Sequence, residues 1–250
     1  MRGVFVTGTG TEVGKTVVAA VIARTLVAAG ERVAVFKPAV TGLDDPGATL
    51  CSPMEGTKRC TGEADHELLR RAANSTQSDE EIAPYRYGPP ASPHLAAEMA
   101  GEEINPERLL QAARAAALPV DALICEGVGG LLVPLAGRVS VAMGDKVVPQ
   151  PSERYLVRDL ASNLGLPVVI AAAPGLGTIN HTLLTIEATR AAGLEVAAVV
   201  LTPWPEDPNE IEESNRKTIA SLGEAAVLSL PRLDLSASET WPPLSGLVNG

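Results

Sequence analysis

Aromatic side chains are scarce in this sequence: Phe, Tyr and Trp together make up 3 % of its 250 residues. A core of this length must therefore be filled by Val, Leu, Ile and Ala, within a hydrophobic share of 46 %. Positive charge is short as well. With 20 Lys and Arg against 30 Asp and Glu, the net charge is −10. That balance argues against non-specific nucleic-acid binding, which rests on Lys and Arg neutralising phosphates. The acidity itself favours solubility and selects no function. Cysteine is limited to Cys51, Cys60 and Cys125, with no Cys-x-x-Cys and no metal-ligand spacing, a usage that fits a reducing cytosol. His66, His94 and His181 form no metal pattern either. A basic, apolar leader is missing from the start of the sequence, and the apolar stretches near 120 and 170 are too short and too broken by Pro and Gly to cross a membrane. The expectation is a soluble, cytoplasmic protein with neither membrane nor nucleic acid as partner.

What the sequence does contain is an alternation. Apolar, β-branched runs at 4–7, 32–36, 122–125, 168–172, 196–201 and 226–230 predict strands. Helical patterns fall between them at 14–29, 64–74, 106–117, 156–164, 179–192 and 209–222. The runs are continuously apolar, with no polar face, which is the signature of strands buried on both sides in a parallel sheet. The expected fold is α/β: a doubly wound, mainly parallel sheet flanked by helices, of the phosphate-loop NTPase type. The length suits one domain, 1–250, burying roughly three-quarters of its unfolded surface. Two segments rich in turn formers and charge, 43–62 and 140–154, read as excursions from it. In such folds ligands sit beyond the carboxyl ends of the strands, and the conspicuous motifs fall there.

Residues 8 to 16 read GTGTEVGKT, directly after the first apolar run. A glycine-rich turn from a strand into a helix aims backbone N–H groups at a phosphate, and the helix N-terminus adds partial positive charge. Lys15 would reach the terminal phosphates, and Thr16 would offer its hydroxyl to Mg²⁺. The usual loop has four residues between its glycines; here five separate Gly8 from Gly14. In LICEGVGG an apolar strand ends in Glu126, either a Mg²⁺ contact or an exposed strand end before a glycine turn. In KPAVTG, Lys37 is either a second cation facing the phosphates or a surface lysine before a proline turn. In PGLGTINH a glycine turn opens a helix, an anion site in principle; taken alone, ordinary capping by Thr178 is the simpler reading. In ASPH, serine before proline marks a helix start.

The order of these motifs resembles the dethiobiotin synthetase family. The resemblance runs from the N-terminus to about residue 235 and takes in GTGTEVGKT, KPAVTG, the aspartate of GEADHELL, ASPH, EGVGG, GTINH and Pro231-Arg232-Leu233. It implies an ATP- and Mg²⁺-dependent reaction in which 7,8-diaminononanoate and CO₂ become dethiobiotin, through a carbamate and a carbamic–phosphoric anhydride. Lys15, Lys37 and Thr11 would be the catalytic residues, the two lysines bracketing the transferring phosphate. The nucleotide would be held by Gly8, Thr11, Glu12, Val13, Gly14, Lys15, Thr16 and Val17, with Thr202, Pro231 and Leu233 toward its base. Thr16, Asp65 and Glu126 match the family's Mg²⁺ ligands. Thr11, Glu12 and Thr41 would lie near the diamine and carbamate, Ser92 would join the substrate pocket, and the backbone at Gly177, Thr178 and Asn180 would take the substrate's distant carboxylate. The resemblance also implies a homodimer. This sequence departs from the family's pattern where many relatives carry an asparagine for the adenine and it reads Leu201-Thr202-Pro203-Trp204. It departs again where some relatives present a tyrosine to the partner's substrate; Asn215, with Ser214 and Arg216, stands there. Two other classes of protein carry a loop of this kind. One is an amidotransferase-type ligase, which normally appends a glutaminase domain. The other is a partitioning-type switch ATPase, which usually has an additional lysine early in the loop. No lysine precedes Lys15 here.

Overall fold

The computed structural model describes residues 1–44, 63–137 and 154–248, and the backbone alone of the strands Cys51–Met54, Thr57–Cys60, Ser140–Met143 and Lys146–Pro149. The central sheet contains β1 (Gly3–Gly8), β2 (Val33–Phe36), β3 (Ala122–Gly130), β4 (Val168–Ala172), β5 (Val196–Trp204) and β6 (Val227–Pro231). The strands pair in the order β6-β5-β4-β1-β3-β2, all parallel. The helices are α1 (Lys15–Ala28), α2 (Asp65–Ala72), α3 (Asp79–Ile82), α4 (Pro93–Met99), α5 (Pro106–Ala117), α6 (Val157–Leu164), α7 (Thr178–Ala191) and α8 (Glu210–Gly223).

The uniformly apolar strands have the cause expected of them. Along β1, Val4 and Val6 enter one core and Phe5 the other; along β4, Val169 and Ala171 oppose Val168, Ile170 and Ala172. One core is closed by Val18, Ile22, Leu68 and Leu69 of α1 and α2. The other is closed by Leu109, Leu160, Ile186 and Ile219 of α5 to α8. Each such fully buried side chain contributes about 1.5–3 kcal/mol relative to exposure, so neither face of the sheet can be left open. Among the described residues no helix is long and apolar enough to cross a membrane.

The structure departs from the sequence reading in three places. Strand β3 does not stop at Glu126 but runs on through the glycines to Gly130. A Cβ at Gly127 would come within 2.9 Å of Phe5 and Val157, so glycine here allows close packing of the strand rather than a turn. The four-residue helix α3, capped by Ser78, lies outside the predicted helical segments, while α4 starts at Ser92-Pro93 as the ASPH motif leads one to expect. The excursions at 43–62 and 140–154 each hold a two-stranded antiparallel ribbon outside the central sheet; their remaining residues, except 43, 44 and 154, lie outside the described residues. Cys125 is buried and free, while the side chains of Cys51 and Cys60 also lie outside the described residues. After β6 the chain folds back on α1, where Trp241, Leu244, Leu247 and Val248 are buried and the Leu244 N–H donates to Thr25 Oγ1 at 3.0 Å.

Candidate active site

Beyond the carboxyl end of β1, the Thr9 N–H donates to the Ala171 carbonyl at 3.0 Å, tying the loop to β4. The loop then curls over Gly8, where a Cβ would lie 2.7 Å from Val13 and 2.9 Å from Lys15 side-chain carbons. Gly14 caps α1 with φ of 83°, and no side chain caps the helix. A Cβ there would also meet Thr202 Cγ2 at 2.6 Å, so only glycine suits both the left-handed backbone and the contact. Glu12 holds φ of 57°, a left-handed conformation at a non-glycine residue of the kind that clusters at functional loops. Lys15 is buried and donates from Nζ to the Gly10 carbonyl at 2.6 Å; burial lowers its pKa from the ordinary lysine value.

The second group gathers from three distant parts of the chain. After β2, the Lys37 N–H donates to the Ile82 carbonyl at 2.8 Å, and its side chain turns into the protein, 4 % exposed. Its Nζ lies 2.8 Å from Asp65 Oδ2, at the start of α2, and 2.6 Å from Glu126 Oε1, midway along β3. Thr16 Oγ1 donates to the same Glu126 oxygen at 2.9 Å. Burial alone would lower the pKa of the Lys37 ammonium; the two carboxylates outweigh it and hold it well above the ordinary value. Burial acts to raise Asp65, and the contact with Lys37 overcomes it, leaving that carboxyl below its usual range. Glu126 is fully buried, and burial pushes its carboxyl up despite Lys37. Its second oxygen, Oε2, is buried without a hydrogen-bond partner. A buried, unpartnered carboxylate oxygen is costly, and beside Thr16 and Asp65 it is the donor set a hard divalent cation takes. Mg²⁺ uses one or two carboxylates together with waters and substrate phosphates, so these residues fit it. Among the described residues no group of three or more His, Cys, Asp and Glu is placed to hold a metal.

These groups line one cavity of about 910 Å³. Thr11, Glu12, Gly14, Lys15, Thr16 and Val17 enter it from β1 and α1; Lys37, Thr41, Asp65, Ser92 and Glu126 enter from the β2–β3 side. Thr202, Pro231 and Leu233 close it from β5 and β6. Gly8 and Val13 shape the loop and do not line the cavity. Backbone pairing of 40–44 with 85–89, for example Val40 N–H to the Tyr85 carbonyl at 2.9 Å and Tyr87 N–H to the Val40 carbonyl at 2.8 Å, sets the wall that carries Thr41 and Ser92. The sequence reading missed Val128, Gly129 and Val133, which line the cavity because β3 runs on, and Leu235, which follows β6.

Gly177, Thr178 and Asn180 are not brought into this cavity. Gly177, with φ of 89°, caps α7 with no side-chain bond. Thr178 therefore does not cap the helix, contrary to the local reading. It is buried, and its Oγ1 lies 3.3 Å from Thr182 Oγ1. The Thr178 N–H donates to the Gly175 carbonyl at 3.2 Å, and no side chain caps the head of α7, where a helix N-terminus favours an anion. Asn215 turns inward, donating from Nδ2 to the carbonyls of Pro174 (2.9 Å) and Gly175 (3.3 Å). It thus fixes the loop that precedes α7. Arg216 lies over the Trp204 ring, 5.3 Å from its centroid.

A family model described as an AAA domain matches residues 2–143 and 139–240. The chain is 42 % identical over 208 residues to an ATP-dependent dethiobiotin synthetase BioD of Anaeromyxobacter dehalogenans, covering 83 % of this chain and 79 % of the relative. It is 36 % identical to one from Rhodococcus erythropolis, over 90 % of this chain and 86 % of the relative. The Bacillus subtilis (strain 168) protein of that name is 32 % identical, over 96 % and 91 %. Among solved structures, a complex of a Cyanothece McdA variant with ATP superposes with a TM-score of 0.50 at 12 % identity, over 99 % of this chain and 90 % of that one, a likeness of fold alone.

Proposed function

The chain belongs to the ATP-dependent dethiobiotin synthetase family, and from that premise we propose that its cavity joins ATP, CO₂ and 7,8-diaminononanoate to give dethiobiotin, ADP and phosphate. The observation that carries this reading is the position of Lys37. It is a buried ammonium held between Asp65 and Glu126 in the cavity that also contains the phosphate loop and the polar groups of Thr11, Glu12, Thr41 and Ser92.

One amine of the diamine adds CO₂ and loses a proton, giving a carbamate. A carbamate oxygen then attacks the γ-phosphorus of ATP as ADP leaves, and a carbamic–phosphoric anhydride results. The second amine attacks the anhydride's carbonyl carbon, closing the ring and releasing phosphate. No protein nucleophile is required, so the chain's task is positioning and charge stabilisation. Lys15 and Lys37 approach the transferring phosphoryl group from two sides, Thr11 lies toward the carbamate, and the bare N-terminus of α1 faces the phosphates. Thr16, Asp65 and Glu126 would hold Mg²⁺, which when bound supplies positive charge against the phosphate oxygens. Glu12, Thr41 and Ser92 receive the diamine end. The backbone at 177–180 takes the distant carboxylate. That position lies outside the cavity lining and next to exposed Leu176 and Leu184, which suits a homodimer in which the substrate reaches across the interface. The purified chain with MgATP, bicarbonate and 7,8-diaminononanoate is expected to yield a product with the mass of dethiobiotin. Absence of that product while ATP is bound would overturn the reading.

A further inference from the structure

The segment after β6 forms part of the cavity wall through Leu233 and Leu235, yet the sheet ladder ends at Pro231. Something other than strand pairing must hold that wall. Trp241 Nε1 donates to the Asp234 carbonyl at 2.8 Å from the C-terminal side. From the other side comes Arg71, in the last turn of α2. Its Nε and Nη2 donate to the two carboxylate oxygens of Glu63 at 2.9 and 2.8 Å, and Nη2 also donates to the Leu235 carbonyl at 2.9 Å. Glu63 stands two residues before Asp65. One planar guanidinium thus fastens the lead-in to Asp65 and the backbone of Leu235 together, and both Asp65 and Leu235 line the cavity.

We propose that Arg71 is a positioning residue of the nucleotide site: it sets the distance between the helix that presents Asp65 and the wall formed by Leu233 and Leu235. The inference rests on the cavity being an ATP site. Side-chain exposures of 38 % for Arg71 and 19 % for Glu63 make this a partly solvated pair, and such pairs add little to global stability. Its effect therefore belongs to the geometry of the cavity. A lysine keeps the charge but lacks the rigid fork that reaches both acceptors at once.

The test is calorimetric titration of the full chain with Mg²⁺ and the non-hydrolysable β,γ-methylene analogue of ATP, alongside KM values for ATP and the diamine. Arg71→Ala is expected to weaken analogue binding about 5- to 10-fold, the effect of losing a charge-assisted hydrogen bond that orders a wall. KM for ATP should rise in parallel, and KM for the diamine should stay within about twofold. Arg71→Lys should recover less than half of the loss. A merely structural role would lower the melting temperature and the active fraction and leave both KM values in place. If Arg71→Ala does not fold, Arg71→Lys carries the same comparison. Analogue affinity within about twofold of wild type in a folded variant overturns the proposal, and failure of the wild-type chain to bind the analogue overturns the ATP site itself.

Discussion

Replacing Lys37 by alanine is expected to slow dethiobiotin formation at least ~100-fold, the order reached when a group that stabilises transition-state charge is lost. That is about 2.7 kcal/mol of the barrier. The expectation comes from what surrounds the ammonium. Lys37 is buried and lies within 2.8 Å of both Asp65 and Glu126, a setting that holds it protonated. It is therefore a fixed positive charge and not a proton donor, and its effect should be felt as negative charge shifts during phosphoryl transfer. Its removal would also leave two buried carboxylates without their shared cation, so Lys37→Met, which keeps the stem and drops the charge, should be as slow as Lys37→Ala. Activity within about threefold of wild type in either folded variant would remove Lys37 from the mechanism.

Glu126→Gln is expected to lower turnover about 100-fold or more, with a drop in melting temperature that leaves the chain folded. The carboxylate already accepts from Lys37 and Thr16 through Oε1, and glutamine can keep that oxygen in place. What changes is the other position, where the amide nitrogen replaces Oε2, the buried oxygen that has no partner in the protein. The folded chain loses no packing, but the buried Lys37 ammonium loses one of its two carboxylates and keeps Asp65, so some loss of stability is expected, less than where a buried charge is left with no partner. The Mg²⁺-dependent chemistry, in contrast, loses an anionic ligand and gains a donor pointed where a cation would bind. A rise in the Mg²⁺ concentration for half-maximal turnover, measured with the melting temperature, separates this outcome from simple misfolding. Unchanged Mg²⁺ dependence would assign Glu126 to the fixing of Lys37 alone.

Much of this arrangement can be read from the sequence, for identifiable reasons. Strands whose successive residues enter opposite cores must be apolar throughout, so the parallel sheet shows in the runs around Val4, Ile124 and Ile170. The phosphate loop is local, and its glycines answer to backbone demands at Gly8 and Gly14. What stays hidden depends on contacts between distant segments. Glycines 127, 129 and 130 resemble a turn until Phe5 and Val157 show that β3 is passing close to its neighbours. Helix α3 has only four residues, too few for a periodic signal, although Ser78 and Glu81 cap each other. The inward turn of Asn215 is set by carbonyls some forty residues away, and no local pattern announces it. The same holds for the link from Arg71 to Leu235, which spans 164 positions. Lys37 and Glu126 stand out locally as candidates at strand ends, with a bland reading beside each, whereas Asp65 is legible only through resemblance to relatives.

The central claim is that one cavity serves both ATP and the diamine, and the most direct measurement is ADP release with and without 7,8-diaminononanoate at saturating MgATP and bicarbonate. Release should require the diamine and match dethiobiotin formation one for one. ADP released at the same rate without the diamine would contradict the account and identify the chain as a stand-alone ATPase on this fold.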